Sequence, residues 1–203
     1  MSLSSGALKG LLAFAGVGAA GGGLAGGIHL LKSTSTIQDQ LESFELISSL
    51  HPSKTDAQWN AEFTLDSEKI KEVIPLVNSG QELKKWCSES LKKKSKGNDD
   101  LIAKVKRWCV VGTIEERLSR KKNKTFILDT EDSEWEKIYN SNTTGSDRKA
   151  IGLDENKNDS SKKDSDKQAI RSFCTKEKGN KFLAETKTTS ADMVEKWCMK
   201  TSS

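Results

Sequence analysis

The chain has 203 residues, 34% hydrophobic and 31% charged, a composition too polar to fill one large globular core once the apolar N-terminal stretch is set aside. Thirty-three basic and 29 acidic residues leave a net charge of +4 at pH 7, and the signs alternate closely in Ser67-Glu68-Lys69-Ile70-Lys71-Glu72. That pattern describes a solvated face and not a phosphate-binding stripe.

Residues 10–31 form a 22-residue run without a formal charge between Lys9 and Lys32. As a helix it would measure about 33 Å, enough to span the hydrocarbon core of a bilayer. Eight of the 22 are glycine, which weakens both helix propensity and insertion. With small residues at Ala13-Phe14-Ala15 or Gly18-Ala19-Ala20, the same run also fits a cleavable signal peptide, and both readings export the remainder. The first cysteine is Cys87, far beyond the run, so lipid attachment at that point is excluded. Gly18, Gly22 and Gly26, at spacing four, offer a face on which two such helices pack closely, hence a homo-oligomer through the membrane segment. The tail holds Lys9 and the free amine, while the next 21 residues after the run hold Lys32 alone, which keeps the tail inside. The expectation is a single-pass protein of the cell membrane with residues 33–203 extracellular.

All four cysteines close the same local pattern of an aliphatic residue, two mostly charged residues, an aromatic and cysteine: Leu83 to Trp86-Cys87, Val105 to Trp108-Cys109, Ile170 to Phe173-Cys174 and Val194 to Trp197-Cys198. Positions i, i+3 and i+4 share one helix face, so each motif predicts a short amphipathic helix that buries its cysteine. Cys87 and Cys109 are 22 residues apart, Cys174 and Cys198 are 24 apart, and the first pair leads the second by 87 to 89. Upstream of each pair stand Trp59 with Phe63 and Trp135 with Tyr139, again at helical spacing. The chain reads as duplicated. The expected fold is mainly α, a signal-anchor segment over residues 1–32 followed by two divergent copies, 37–120 and 126–200. Trp59, Trp86, Trp108, Trp135, Phe173 and Trp197 are its core aromatics. A helix, a turn and a returning helix would favour Cys87–Cys109 and Cys174–Cys198; four cysteines allow three connectivities, and a bridge between copies stays open. A four-cysteine zinc site would need short C-x-x-C knuckles, and here the cysteines of each motif stand alone.

Between the first pair, Lys92 to Asp100 with Gly97-Asn98 reads as a turn. Thr113-Ile114-Glu115-Glu116 has the form of a capping box opening a short basic helix through Lys122, Thr125 to Leu128 is the best strand candidate, and Ser67 and Ser190 are plausible helix starts. Residues 141–167 hold only Ala150, Ile151 and Leu153 as apolar side chains among six basic and six acidic residues, which predicts a mobile insertion in the second copy.

No cofactor or metal site is predicted, and no catalytic residue. The two histidines, His29 and His51, fall in no ligand or triad motif, and there is no phosphate loop or dinucleotide fingerprint. Carboxylate pairs such as Asp99-Asp100 and Glu115-Glu116 are commonplace in so charged a chain. The basic runs Lys92-Lys93-Lys94-Ser95-Lys96 and Arg120-Lys121-Lys122-Asn123-Lys124 motivate a second reading, a cytosol-facing tethered module that binds nucleic acid or anionic lipid. Against it, the aromatic interleaving of nucleic-acid modules is missing.

Lys85-Trp86-Cys87, Arg107-Trp108-Cys109-Val110 with Gly112-Thr113-Ile114-Glu115-Glu116-Arg117-Leu118, and Lys196-Trp197-Cys198, set behind a Gly/Ala-rich apolar segment, resemble the large paralogous families of uncharacterised proteins in haemotrophic mycoplasmas. Phe173 departs from the tryptophan of the other motifs. The resemblance spans nearly the whole chain and implies a surface protein of a wall-less bacterium, antigenically variable, a structural or interaction module with no catalytic residues to transfer and a host or surface protein as partner.

Overall fold

The computed structural model describes residues 35–157 and 160–201. The apolar run 10–31, with Gly18, Gly22 and Gly26, lies outside the described residues, and none of the described helices is long and apolar enough to cross a membrane. The described chain is mainly helical, and its buried apolar side chains fall into two clusters, one built from Ile37 to Cys109 and the other from Ile114 to Met199.

The first cluster begins at Thr36, which caps α1 (Ile37–Gln40): its hydroxyl accepts from the Asp39 amide, and the Asp39 carboxylate accepts from the Thr36 amide. One turn of helix does not persist alone. It is held because Ile37 N–H donates to Lys93 O at 2.9 Å. Pro52 opens α2 (Pro52–Leu65), where His51 Nδ1 accepts from the Ser53 amide and so serves as a helix cap. Asp66 then separates α2 from α3 (Ser67–Val73). Ser79 caps α4 (Gly80–Leu91), and α5 (Asp99–Trp108) carries Asp99 and Asp100 in its first turn and Lys106 and Arg107 in its last, as the helix dipole favours. The turn between α4 and α5 contains Gly97 at φ +78°, a left-handed backbone that suits glycine.

The second cluster repeats this plan. Thr113 and Glu116 form the capping box of α6 (Ile114–Leu118), β1 (Lys124–Phe126) follows, then α7 (Asp132–Ser141) with Trp135 and Tyr139, α8 (Ser146–Ala150), α9 (Lys163–Glu177), α10 (Ala191–Cys198) and β2 (Met199–Thr201). β2 pairs antiparallel with β1, Phe126 opposite Met199, which supplies the partner that the strand candidate 125–128 needs. The correspondence extends to single hydrogen bonds. Ile37 N–H to Lys93 O is matched by Ile114 N–H to Asn180 O at 2.8 Å, each acceptor lying six residues beyond the first cysteine of its copy. Ile47 N–H to Cys109 O at 3.0 Å is matched by Ile127 N–H to Cys198 O at 2.9 Å.

That equivalence moves the copy boundary. α6 belongs to the second core, not to a first copy ending at residue 120, because Ile114 and Leu118 at i and i+4 bury with Val194 and Trp197. Its counterpart is the segment Thr36 to Leu41, and the copies run from 36 to 111 and from 113 to 201.

Both pairs of cysteines are bridged within their copies, Cys87 to Cys109 with 5.7 Å between Cα atoms and Cys174 to Cys198 with 5.6 Å. The aliphatic residue of every motif, Leu83, Val105, Ile170 and Val194, is fully buried. The aromatics divide. Trp108 and Trp197, on the second cysteine helix of each copy, are buried together with Trp59 and Trp135, whereas Trp86 and Phe173, on the first, are half-buried at the margins of their clusters. Phe173 in place of tryptophan therefore sits where the ring is only partly enclosed.

The stretch 141–167, expected as a mobile insertion, contains α8, and among its described residues Arg148, Ile151 and Leu153 are buried with the second core. Arg148 is fully buried and donates to Asp154 O, Asn142 O and the Asp166 carboxylate at 2.7, 2.8 and 2.9 Å, while Ile151 and Leu153 bury beside it. Composition misjudges such a segment because one arginine satisfies two carbonyls and a carboxylate, and two aliphatic side chains anchor it.

Each disulfide closes a loop of about twenty residues, worth about 3 kcal/mol in the chain-entropy account. Cys87→Ser with Cys109→Ser, and separately Cys174→Ser with Cys198→Ser, should each lower the stability of the full chain in detergent by about that much in denaturant unfolding followed by tryptophan fluorescence. A loss well under ~1 kcal/mol would show that the bridges constrain nothing the core does not already hold.

Candidate functional site

Gln58 and Glu62 on α2, and Asp66 at its C-terminal cap, recur every four residues and form a polar stripe on a helix that also carries the buried Trp59. Gln58 and Glu62 are buried where they meet the second copy, and Asp66 where it meets Arg107 and Trp108 of its own copy. Gln58 donates to Phe182 O at 2.9 Å and accepts from the Ala184 amide at 2.7 Å. Glu62, fully buried, accepts from Arg117 Nε at 2.6 Å and from Arg120 at 3.4 Å. Asp66 accepts from Arg107 Nε at 2.9 Å and from Trp108 Nε1 at 2.8 Å.

The cluster thus contains three guanidinium groups, Arg107, Arg117 and Arg120, against two carboxylates, Glu62 and Asp66. Arg117 also donates to Val110 O at 2.5 Å and Arg120 to Arg107 O at 2.6 Å, so backbone carbonyls take N–H groups that carboxylates do not. Burial pushes the Glu62 carboxyl above the ordinary carboxylate range even with two arginines beside it. Burial and the neighbouring Arg117 together pull Arg120 down to about 10. Gly112 makes room for this arrangement: a Cβ there would lie 2.2 Å from an Arg117 guanidinium nitrogen.

Over the cluster lies an open groove of about 1310 Å³ between the copies, lined by α5, α6 and the segment around Phe44. Arg107, Arg117 and Arg120 form its floor, and Lys69, Lys104, Lys106 and Lys181 reach it from the sides; Glu45 and Glu116 are its acidic lining residues. Glu45 pairs with Lys181 at 2.6 Å, Lys69 pairs with Glu72 outside the groove at 2.7 Å, and Glu116 caps Thr113. Lys104 has no carboxylate partner among the described residues, and Lys106 stands over the ring of Phe44 at 4.5 Å.

The two basic runs fare differently. Arg120 is in the buried cluster, Lys121 and Lys124 both hold Glu195 at 2.6 and 2.8 Å, and Lys122 holds Glu68 at 2.7 Å, so that run is spent on ion pairs. Lys92, Lys93, Lys94 and Lys96 are exposed on the α4–α5 turn. Glu115 pairs with Lys178 at 3.3 Å and Glu116 is a cap, so that carboxylate pair is structural. Among the described residues no group of three or more His, Cys, Asp or Glu side chains is placed to hold a metal ion.

No family model, curated protein or solved structure matches this chain. The groove therefore has to be read from its own geometry. Sequence reasoning did not single out Gln58, Glu62 or Asp66, although the spacing of four between Gln58 and Glu62 on a helix that also carries Trp59, continued by Asp66 at its end, was the signal that a second element covers that face.

Removing Arg117 leaves the buried Glu62 with only the distant Arg120. Arg117→Met should cost about 3–5 kcal/mol in denaturant unfolding, and adding Glu62→Gln should recover part of it, because a neutral amide tolerates the lost charge partner. Gly112→Ala should cost roughly 1–3 kcal/mol, since Arg117 is pinned on both sides and cannot retreat. A Gly112→Ala protein as stable as the parent would mean that Arg117 does not need this close approach.

Proposed function

We propose that the protein is a non-enzymatic interaction module displayed on the outer face of the cell membrane and tethered there by residues 10–31, in the manner of the haemotrophic mycoplasma families that its Trp-Cys motifs resemble. The observation that carries this reading is the pairing of all four cysteines in two buried disulfides, one per copy. Structural disulfides persist in oxidising surroundings and are rare where cytosolic reductants act. Buried Gln58, Glu62 and Arg117 join two small cores, and an open groove between them is a cationic contact surface.

Intact cells treated with a membrane-impermeant thiol reagent, with and without prior reduction, separate this reading from a cytosol-facing one. Labelling of Cys87, Cys109, Cys174 and Cys198 only after reduction places the module outside. Free thiols that react only after lysis place it inside and overturn the proposal.

A further inference from the structure

We infer that the groove between the copies binds an extended acidic peptide segment bearing apolar side chains, supplied by the partner of this module. The inference rests on the interaction-module reading and not on the side of the membrane.

Three features of the groove converge on that ligand. The floor is short of negative charge: three guanidiniums face two carboxylates, and one of the three, Arg120, has a 7% exposed side chain in contact range of Arg117 and Arg107. A carboxylate laid over the floor supplies counter-charge to Arg107, whose side chain is 41% exposed, and to Arg120 beside it. The rim then extends the same preference outward through Lys104 and Lys106. Beside these cations runs an apolar wall of Phe44, 37% exposed, with the half-buried Val73 and Val111. Such a wall has no counterpart on a sulfated glycan, and Lys106 already occupies one face of the Phe44 ring on which a nucleic-acid base would stack. A peptide that alternates acidic and apolar side chains satisfies the floor, the rim and the wall together. The volume of about 1310 Å³ exceeds the common range for a small-molecule pocket and suits a chain lying along an open groove.

Fluorescence anisotropy of a labelled peptide alternating Glu and Leu, titrated with the full chain in uncharged detergent micelles, tests this. Binding should weaken as salt rises, and a Gln–Leu peptide should not bind. Lys104→Glu with Lys106→Glu should weaken binding about tenfold or more, and Phe44→Ser should weaken it several-fold, while Lys92→Glu with Lys93→Glu, exposed on the α4–α5 turn outside the groove lining, should leave it unchanged. Equal weakening by the turn variant, equal binding of a peptide of Glu and Gln without Leu, or preferential binding of a single-stranded oligonucleotide or a sulfated glycan would overturn the assignment. The assay does not depend on compartment, so a failure of the thiol-labelling experiment and a failure here are separate results.

Discussion

Two small cores on one chain stay together only if something specific joins them, and in this protein a buried ion pair does so beside Ala61 and Leu65 of α2, which pack against the second core. Glu62 is sealed on a helix of the first copy and Arg117 on a helix of the second, 2.6 Å apart. A buried ion pair contributes little net stability against well-packed apolar groups, yet it strongly disfavours arrangements in which either partner is buried alone. Each copy has its own disulfide and its own aromatic core, so the pair is not required to make either one. Its effect is to fix how they meet, assisted by Gln58 on the backbone of Phe182 and Ala184. The groove follows from that joint, because the guanidiniums that satisfy Glu62 and Asp66 are also its floor.

The helical fold and the two bridges within it were legible from the cysteine motifs, and the legibility has a physical source. A residue that must bury at i, i+3 and i+4 of a short helix leaves a repeated trace, and cysteines that must meet keep their separation nearly constant. The strand pairing and the exact copy boundary were harder to read. Thr36-Ile37-Gln38-Asp39-Gln40-Leu41 and Thr113-Ile114-Glu115-Glu116-Arg117-Leu118 share threonine, isoleucine, an acid at the third helical position and leucine, which is the same capped turn twice. A helix of one turn has too few residues for periodicity to reveal it, and its register depends on a hydrogen bond to a residue more than fifty positions away. The groove left a fainter trace still. Its charged residues come from α3, α5, α6 and the loops holding Glu45, Arg120 and Lys181, and in a chain with 31% charged residues no local window separates them from solvated surface.

The half-buried aromatics on α4 and α9 illustrate how two copies diverge without losing their plan. The fully enclosed rings, Trp108 and Trp197, occupy the same place in each copy and have the same identity. The partly enclosed ones are Trp86 in one copy and Phe173 in the other. Where the ring is open on one side, a smaller aromatic leaves no internal void, so the identity of the residue is constrained less than its aromatic character. The second-copy stretch around Arg148 shows the complementary route, an insertion accommodated by one buried arginine in place of a larger apolar core.

The way the chain enters the first copy also decides how that copy would respond to force. A pull applied at Ser35 acts first on the Ser35–Ser95 contact at 2.9 Å and on the Ile37–Lys93 hydrogen bond, both of which grip the α4–α5 turn. That turn lies inside the covalent loop closed by Cys87 and Cys109, and Lys104 and Lys106 of the groove lie in the same loop. Tension between the chain entry and Lys104 or Lys106 therefore has a short, cross-linked path along α5.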